Sequence, residues 1–233
     1  MATQRLKKIK ALLPALIEND RQEEMTEKSF RSLISFDNCL KVTIDKKRYD
    51  KSVAGVWNAF FDKHRGCEYD YLLITANDVE HDPNMVDFLV KYAERHKDLG
   101  VVSCMVTRDL EEFKHGFGQQ VFIDRETKAL KDPATFLIRK GVIEEVGRID
   151  EYFPFEFVER DFLYRCKLAG FGWGQPDLIL SYHPDHSGTI GNDINRLNAS
   201  LKRYVSKWGG DADAEIYKHP FNNLNLNYKY CVE

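Results

Sequence analysis

Residues 71–75 read Tyr-Leu-Leu-Ile-Thr, a continuous apolar run that leads through one alanine to Asn77 and Asp78. A strand that is apolar at consecutive positions is buried on both faces, which is typical of a parallel sheet covered by helices on both sides. Other apolar runs alternate with segments of helical periodicity along the chain. The sequence therefore predicts an α/β domain with a mixed, mostly parallel central sheet flanked by helices.

Short apolar runs mark the predicted strands, and amphipathic spacing marks the predicted helices. The strands are 9–13, 40–44, 71–75, 100–106, 134–138 and 178–182, with 116–123 as one strand of a hairpin. The helices are 23–34, 53–61, 83–94, 141–146, 162–169 and 192–208. Since no linker or repeat divides the chain, we predict one domain. Residues 1–190 form its main part, and 191–233 form a basic helix and tail that pack on it.

Composition disfavours several classes of protein. The 233 residues are 43% hydrophobic and 30% charged, which indicates a globular domain and not a disordered chain. The net charge of -3 and the pI of about 6.2 disfavour binding to nucleic acid through phosphate contacts. Five dispersed cysteines without a CxxC pair indicate a reducing compartment, and no apolar stretch reaches the ~20 residues of a membrane helix. A cytoplasmic protein without a membrane span is therefore expected.

The first candidate site follows the strand 71–75. In open α/β sheets ligands bind beyond the carboxyl ends of the strands, which is where Asn77 and Asp78 stand. A carboxylate at such a place can hold Mg²⁺ or Mn²⁺, which bridges to the oxygens of a diphosphate. The alternative is that both residues form a turn or a helix cap, the commonest use of Asn and Asp. The turn at Pro14 and the carboxylate of Asp45 likewise follow predicted strands.

The second candidate site precedes the predicted helix 162–169. Glu159 and Asp161 are two residues apart in a loop that leads into this helix, so both can face one cavity. One of them can then act as a general base toward an acceptor hydroxyl. The alternative is capping of the helix and compensation of its macrodipole.

Further on, His183 and His186 follow the last strand and form a candidate metal cluster with a nearby aspartate, since a neutral imidazole is a good ligand.

These segments, in this order, resemble the family 2 glycosyltransferases and their relatives of the Rossmann-like GT-A fold. In that family a strand ends in an aspartate motif, often DxD, and a proline and a helix follow. A later hallmark reads G-x-x-D-E-x-F…E-D-x-D-L-x-x-R…G. The matching residues here are Ala76-Asn77-Asp78, then 147–153, Glu159-Arg160-Asp161, Arg165 and Gly170, and the histidine expected after the next strand is His183. Looser matches are 9–15 with the first strand and its P-x-x-N turn, 42–45 with the second strand, and 53–58 with a G-x-x-x-A-x-N helix start.

The resemblance covers about residues 8–190 and implies an inverting glycosyltransferase, in which 1–190 would be the nucleotide-sugar-binding and catalytic part. It implies a nucleotide-sugar donor, with UDP as the favoured nucleotide, and a glycan or another hydroxyl acceptor. Asp78 and His183 would hold Mn²⁺ or Mg²⁺, and Glu159 or Asp161 would be the base. The donor contacts that it implies are Pro14, Ala15, Asp45, Asn58 and Asn77. Two departures are Ala76 at the first aspartate of DxD and Arg160 within the usual E-D pair. The size is similar to that of small phage- and virus-type members.

The predicted helix 192–208 is basic and lies outside the closest resemblance. It is either a surface helix packed through Leu197, Leu201 and Val205, or a lid whose Lys207 meets the diphosphate while Trp208 stacks on a sugar. Two other functions stay open. One is an inactive nucleotide-sugar-binding module, which Ala76 permits. The other is a glycosyltransferase acting on modified bases in DNA, which the acidic overall charge disfavours.

Overall fold

The computed structural model describes residues 6–15, 20–33, 40–48, 52–116, 134–153, 155–176, 178–183 and 194–229. The strands are β1 Lys7–Ala15, β2 Leu40–Arg48, β3 Tyr71–Thr75, β4 Glu80–His81, β5 Leu99–Ser103, β6 Met105–Thr107, β7 Thr135–Arg139, β8 Gly172–Gly174 and β9 Ile179–Tyr182. The helices are α1 Asp20–Ser32, α2 Val53–His64, α3 Met85–Arg95, α4 Leu110–Gly116, α5 Lys140–Val146, α6 Val158–Leu168 and α7 Ile194–Trp208, with a 3₁₀ turn at Pro220–Asn222. None of these helices is long and apolar enough to cross a membrane.

Six strands form the main sheet, in the order β2-β1-β3-β7-β5-β8. The neighbours β2, β1 and β3 are parallel, as are β5 and β8, whereas β7 runs antiparallel to both β3 and β5. A small second sheet has the order β4-β9-β6. The mixed, mostly parallel sheet flanked by helices is thus confirmed.

Successive residues of the central strand point into two different cores. All five residues of β3 are buried, as its continuous apolar sequence predicts. Leu72 and Ile74 belong to a core that helices α2, α5, α6 and α7 complete. Tyr71 and Leu73 belong to a second core, which α3 and the segment after α1 complete. Because strand side chains alternate between faces, this pattern gives a sheet between two layers of helices.

The single strand predicted over residues 100–106 is wrong. The segment contains two strands, β5 in the main sheet and β6 in the small one, and the buried Cys104 lies between them. Both pieces are extended and apolar, so hydrophobic periodicity alone does not reveal the change of sheet. The elements β4, α4 and β8 were not predicted either. Of the predicted hairpin strand 116–123, Gly116 ends α4 and the other residues lie outside the described part of the chain.

Helix α7 turns a different face inward from the one expected. Leu197 and Val205, predicted to pack against the domain, are 42% and 39% exposed. The side chains of Tyr204, Lys207 and Trp208 are fully buried instead. The rings of Tyr204 and Trp208 and the ammonium group of Lys207 therefore anchor the helix.

Candidate active site

The short ladder between β4 and β9 brings together two residues that are far apart in the sequence. These strands are antiparallel, with Glu80 opposite Tyr182. Asp78 lies just before this pairing and His183 just after it, so both are at the same end of the ladder. The backbone amide of His183 also donates to the carbonyl of Thr107 at 2.9 Å, which ties the residue to β6. The β4–β9 register therefore positions this pair.

The side chains of Asp78 and His183 form a candidate metal centre. Asp78 Oδ2 and His183 Nε2 are 3.3 Å apart, and the hydrogen bond that the imidazole donates to Asp78 raises the pKa of the imidazole. Adjacent ligands of an octahedral Mg²⁺, each ~2.1 Å from the ion, are about 3 Å apart, so the pair fits such an ion. In the described part of the chain no group of three or more His, Cys, Asp or Glu side chains could hold a metal. His186, the other histidine of the predicted cluster, lies outside the described residues.

A buried polar cluster lies next to this pair and links β3, β4 and β9. The ring of His81 bonds the hydroxyl of Thr75 through Nε2 and that of Ser181 through Nδ1, both at 2.8 Å. Thr75 bonds Thr135 at 2.8 Å, and Ser181 bonds Cys104 at 3.0 Å. Burial lowers the pKa of His81 to about 3, so the ring is neutral at pH 7. The cluster is thus held by hydrogen bonds without a buried charge.

Glu159 lies in the first turn of α6 and borders a surface pocket. Helix α6 leads through a short turn into β8, which is parallel to β5, so its first turn lies at the carboxyl edge of the parallel strands. Asp78 follows β3 at that same edge. Burial raises the pKa of the Glu159 carboxyl above its ordinary value. A raised pKa makes a carboxylate a better proton acceptor, which suits a general base.

Asp161 is enclosed in a network of charges within the protein. Its Oδ1 accepts hydrogen bonds from Lys207 Nζ at 2.6 Å and Trp208 Nε1 at 2.8 Å, and its Oδ2 accepts one from Arg165 Nε at 2.9 Å. Lys207 Nζ also donates to Asp150 Oδ2 at 2.6 Å. Two carboxylates thus balance two fully buried cations, and this pairing draws α7 onto α6.

This network corrects two expectations from the sequence. Glu159 and Asp161 were expected to face one cavity from a loop, but α6 begins at Val158 and contains both. Residues two positions apart in an α-helix are separated by about 200° around its axis, so the two carboxylates point to opposite sides. In the lid alternative for the last helix, Lys207 would meet the diphosphate and Trp208 would stack on a sugar. Both are fully buried and bonded to Asp161, so neither contacts a ligand here.

Two asparagines that were expected to contact the donor are occupied by the protein itself. Asn58 donates to the carbonyl of Ile149 and to Glu151, and its side-chain oxygen accepts from the amide of Ile149. It therefore holds the loop after α5 against α2. Asn77 donates to Thr26 Oγ1 at 2.9 Å and so fixes the turn after β3 to α1. Both residues shape the site from within the interior.

The remaining predicted donor contacts lie on β1 and β2. Pro14 and Ala15 end β1, which neighbours β3, so they are at the same edge of the sheet as Asp78. Asp45 was expected just after its strand, but β2 continues to Arg48 because its pairing with β1 continues that far. The nucleotide contacts of Pro14, Ala15 and Asp45 stay predictions.

Arg108 is a candidate that the sequence did not single out. It follows β6 at the carboxyl edge, and its positive charge acts on the imidazole of His183 to lower its pKa. Its side chain is exposed. Its place in the site follows from β6, the strand of the small sheet that precedes it. The prediction of a single strand over residues 100–106 did not show that this second strand exists. A guanidinium here is suited to the oxygens of a diphosphate.

Comparison with known proteins identifies the fold. No family model and no curated protein matches the chain by sequence. Among solved structures, S. aureus TarS 1–349 in complex with UDP has a TM-score of 0.55 at 11% identity, with 85% of this chain and 72% of that one covered. The mannosyltransferase PcManGT from Pyrobaculum calidifontis in complex with GDP-Man and Mn²⁺ has a TM-score of 0.52 at 12% identity, with 78% and 58% covered.

The fold is therefore that of the GT-A-type glycosyltransferases, as expected from the sequence. At identities of 11% and 12%, these similarities show the fold alone. The narrower resemblance to family 2 has no matching family model. What the protein does has to be argued from its own residues.

Proposed function

We propose that this protein is a metal-dependent glycosyltransferase that moves a sugar from a UDP-sugar, or another nucleotide sugar, to an acceptor hydroxyl with inversion. The observation that carries the proposal is the pairing of Asp78 with His183 at the same edge of the sheet as Glu159. Solved structures of the same fold support a nucleotide-sugar donor, since they include TarS with UDP or UDP-GlcNAc and a mannosyltransferase with GDP-Man and Mn²⁺.

Asp78 and His183 would hold Mn²⁺ or Mg²⁺ together with the diphosphate of the donor. A cation at this place neutralises the charge that develops on the departing nucleoside diphosphate. Arg108 would supply further positive charge to the same oxygens. The carboxyl end of β1 and the neighbouring part of β2 would hold the nucleoside, with Asp45 as the proposed contact to the base.

Glu159 would act as the general base. The proton of the acceptor hydroxyl passes to the Glu159 carboxylate while the acceptor oxygen forms its bond to the anomeric carbon. The bond between this carbon and the diphosphate oxygen breaks on the opposite side, and the nucleoside diphosphate leaves. A single displacement of this kind inverts the configuration at the anomeric carbon. Asp161 has a different role, because its carboxylate is already bonded to three buried donors.

A panel of nucleotide sugars tests the proposal by thermal unfolding with and without Mn²⁺. A ligand that binds only the folded state raises the unfolding midpoint. We expect at least one nucleotide sugar to raise it in the presence of Mn²⁺, and the nucleoside diphosphate to be released on turnover. Asp78→Asn and His183→Ala should abolish the Mn²⁺-dependent part. The matched control is Asp62→Asn, which removes an exposed carboxylate at the far end of α2.

Three results would contradict parts of this proposal. If no nucleotide sugar stabilises the protein with either metal, the donor site is wrong. If the Asp78 and His183 variants behave like Asp62→Asn, the metal site is wrong. If a nucleotide sugar binds but is never consumed with any acceptor, the protein is a binding module and not an enzyme.

A further inference from the structure

A surface pocket lies along one side of α6, between this helix, β8, α7 and residues 212–215. We name it the α6 pocket. Glu159 borders it at one end and Lys167 at the other. Eight residues of α-helix separate these two, so the pocket extends for roughly 12 Å along α6.

The wall opposite α6 is fixed by hydrogen bonds. The amides of Ile216 and Tyr217 both donate to the carbonyl of Trp208 at 2.9 Å. Tyr164 donates to the carbonyl of Tyr217 at 3.0 Å, and the hydroxyl of Tyr204 is bonded to Glu215. The pocket is therefore formed before any ligand enters, as small-molecule sites usually are.

The lining combines an aromatic surface with polar groups of both signs. Trp173 of β8 is partly exposed at the pocket, whereas Trp57 and Trp208, the other tryptophans of the chain, are buried. The charged side chains of the lining are Glu159, Arg160, Lys167, Asp213 and Glu215. Three are acidic and two are basic, so the pocket has no excess of positive charge to attract an anion.

This lining suits a neutral saccharide. A pyranose ring has an apolar face that packs on an indole, and its hydroxyls both donate and accept hydrogen bonds. The carboxylates of Glu159 and Asp213 can accept from hydroxyls, and the cations of Arg160 and Lys167 can donate to them. A nucleotide or another polyanion would meet three carboxylates.

We propose that the α6 pocket binds the acceptor as a neutral oligosaccharide, with its reacting hydroxyl at Glu159 and its next sugar on Trp173. This inference rests on the proposed function, because Glu159 is there the base. It assigns the acceptor class and the residues that select it. The acceptor then approaches along α6, while the donor occupies the ends of β1, β3 and β9.

Tryptophan emission tests this inference without any donor. The probes are neutral trisaccharides of glucose, galactose, mannose and N-acetylglucosamine, with UDP as the anionic comparison. We expect at least one trisaccharide to shift the emission, because Trp173 is the partly exposed indole. In Trp173→Ala, ligand-observed saturation-transfer NMR should show binding weakened by about five- to tenfold, the usual worth of an aromatic contact.

Two further variants complete the test, one within the pocket and one outside it. Asp213→Asn removes a lining carboxylate and is tolerated by the backbone, because Asp213 has a φ of 72° and asparagine readily adopts this left-handed conformation. It should also weaken the trisaccharide, and it serves if Trp173→Ala does not fold. Tyr152→Ala removes an exposed aromatic ring outside the pocket and should leave saccharide binding unchanged.

The outcomes separate this inference from the proposed function. If UDP with Mn²⁺ stabilises the protein but no trisaccharide binds, the α6 pocket is not the acceptor site and the proposed function stands. If a trisaccharide binds through Trp173 but no nucleotide sugar binds, the proposed function fails and the pocket is a saccharide site without that reaction. If UDP and not the saccharides perturbs Trp173, the inference is overturned.

Discussion

Replacing Asp161 with asparagine should destabilise the protein more than it affects the reaction. The carboxylate accepts hydrogen bonds from Arg165, Lys207 and Trp208, all of which are fully buried. In Asp161→Asn the two buried cations lose the carboxylate that they share, while Lys207 keeps its ion pair with Asp150. Removing one partner of a buried ion pair costs roughly 3–5 kcal/mol. At about 2–4 °C per kcal/mol for a domain of this size, the unfolding midpoint should fall by roughly 6–20 °C.

Glu159→Gln should show the opposite profile. Its carboxyl is half-buried, and burial raises its pKa, so the folded protein disfavours its ionised form. A neutral amide of the same shape should leave the free energy of unfolding nearly unchanged. If Glu159 is the base, single-turnover sugar transfer should slow by about 10²–10⁴-fold with little change in donor binding. The two acids are thus distinguished by which quantity each substitution changes.

Denaturant unfolding and single-turnover kinetics on the same preparations decide between these roles. Lys207→Met provides a double-mutant cycle with Asp161→Asn, because the double variant again has one buried cation for one carboxylate. We expect the double variant to be less destabilised than the sum of the two single variants. The reasoning is refuted if Asp161→Asn is as stable as the parent, or if it abolishes turnover at temperatures where it is fully folded.

Three further changes have defined outcomes. Arg108→Ala should weaken UDP binding roughly tenfold, as loss of a charged hydrogen bond does, and equal affinity by calorimetry would remove Arg108 from the site. His81 has a pKa near 3 when folded and 6.5 ordinarily, so the unfolded chain binds its proton first and stability should fall below pH 6.5, by about 2 kcal/mol at pH 5. His81→Gln should lack this part of the pH dependence of unfolding, and an unchanged slope would contradict it. Asn58→Ala should cost roughly 1–3 kcal/mol of stability without altering donor affinity, and the reverse pattern would restore its predicted donor contact.

The sequence predicted the main sheet well because its central strands carry a strong local signal. Tyr71–Thr75 is buried along its whole length, and its continuous apolar run admits few other structures. The short strands β4 and β8 carry no such signal, since two or three residues show no periodicity. The register of β4 with β9 is what places Asp78 beside His183, and local sequence does not contain it. The resemblance to glycosyltransferases named both residues, but the ladder explains how they meet.

The orientation of α7 shows how distant charges decide between two helical faces. Leu197, Leu201 and Val205 repeat every four residues, which is the spacing expected of a buried stripe. The face that is buried contains Tyr204 and Lys207 instead. A buried Asp161 needs cationic partners. The free-energy cost of burying an unpaired carboxylate exceeds the cost of exposing a few aliphatic side chains to water. The need to pair Asp161 therefore sets the rotation of α7, so the helix closes the α6 pocket with Tyr204 while Leu197 and Val205 face outward.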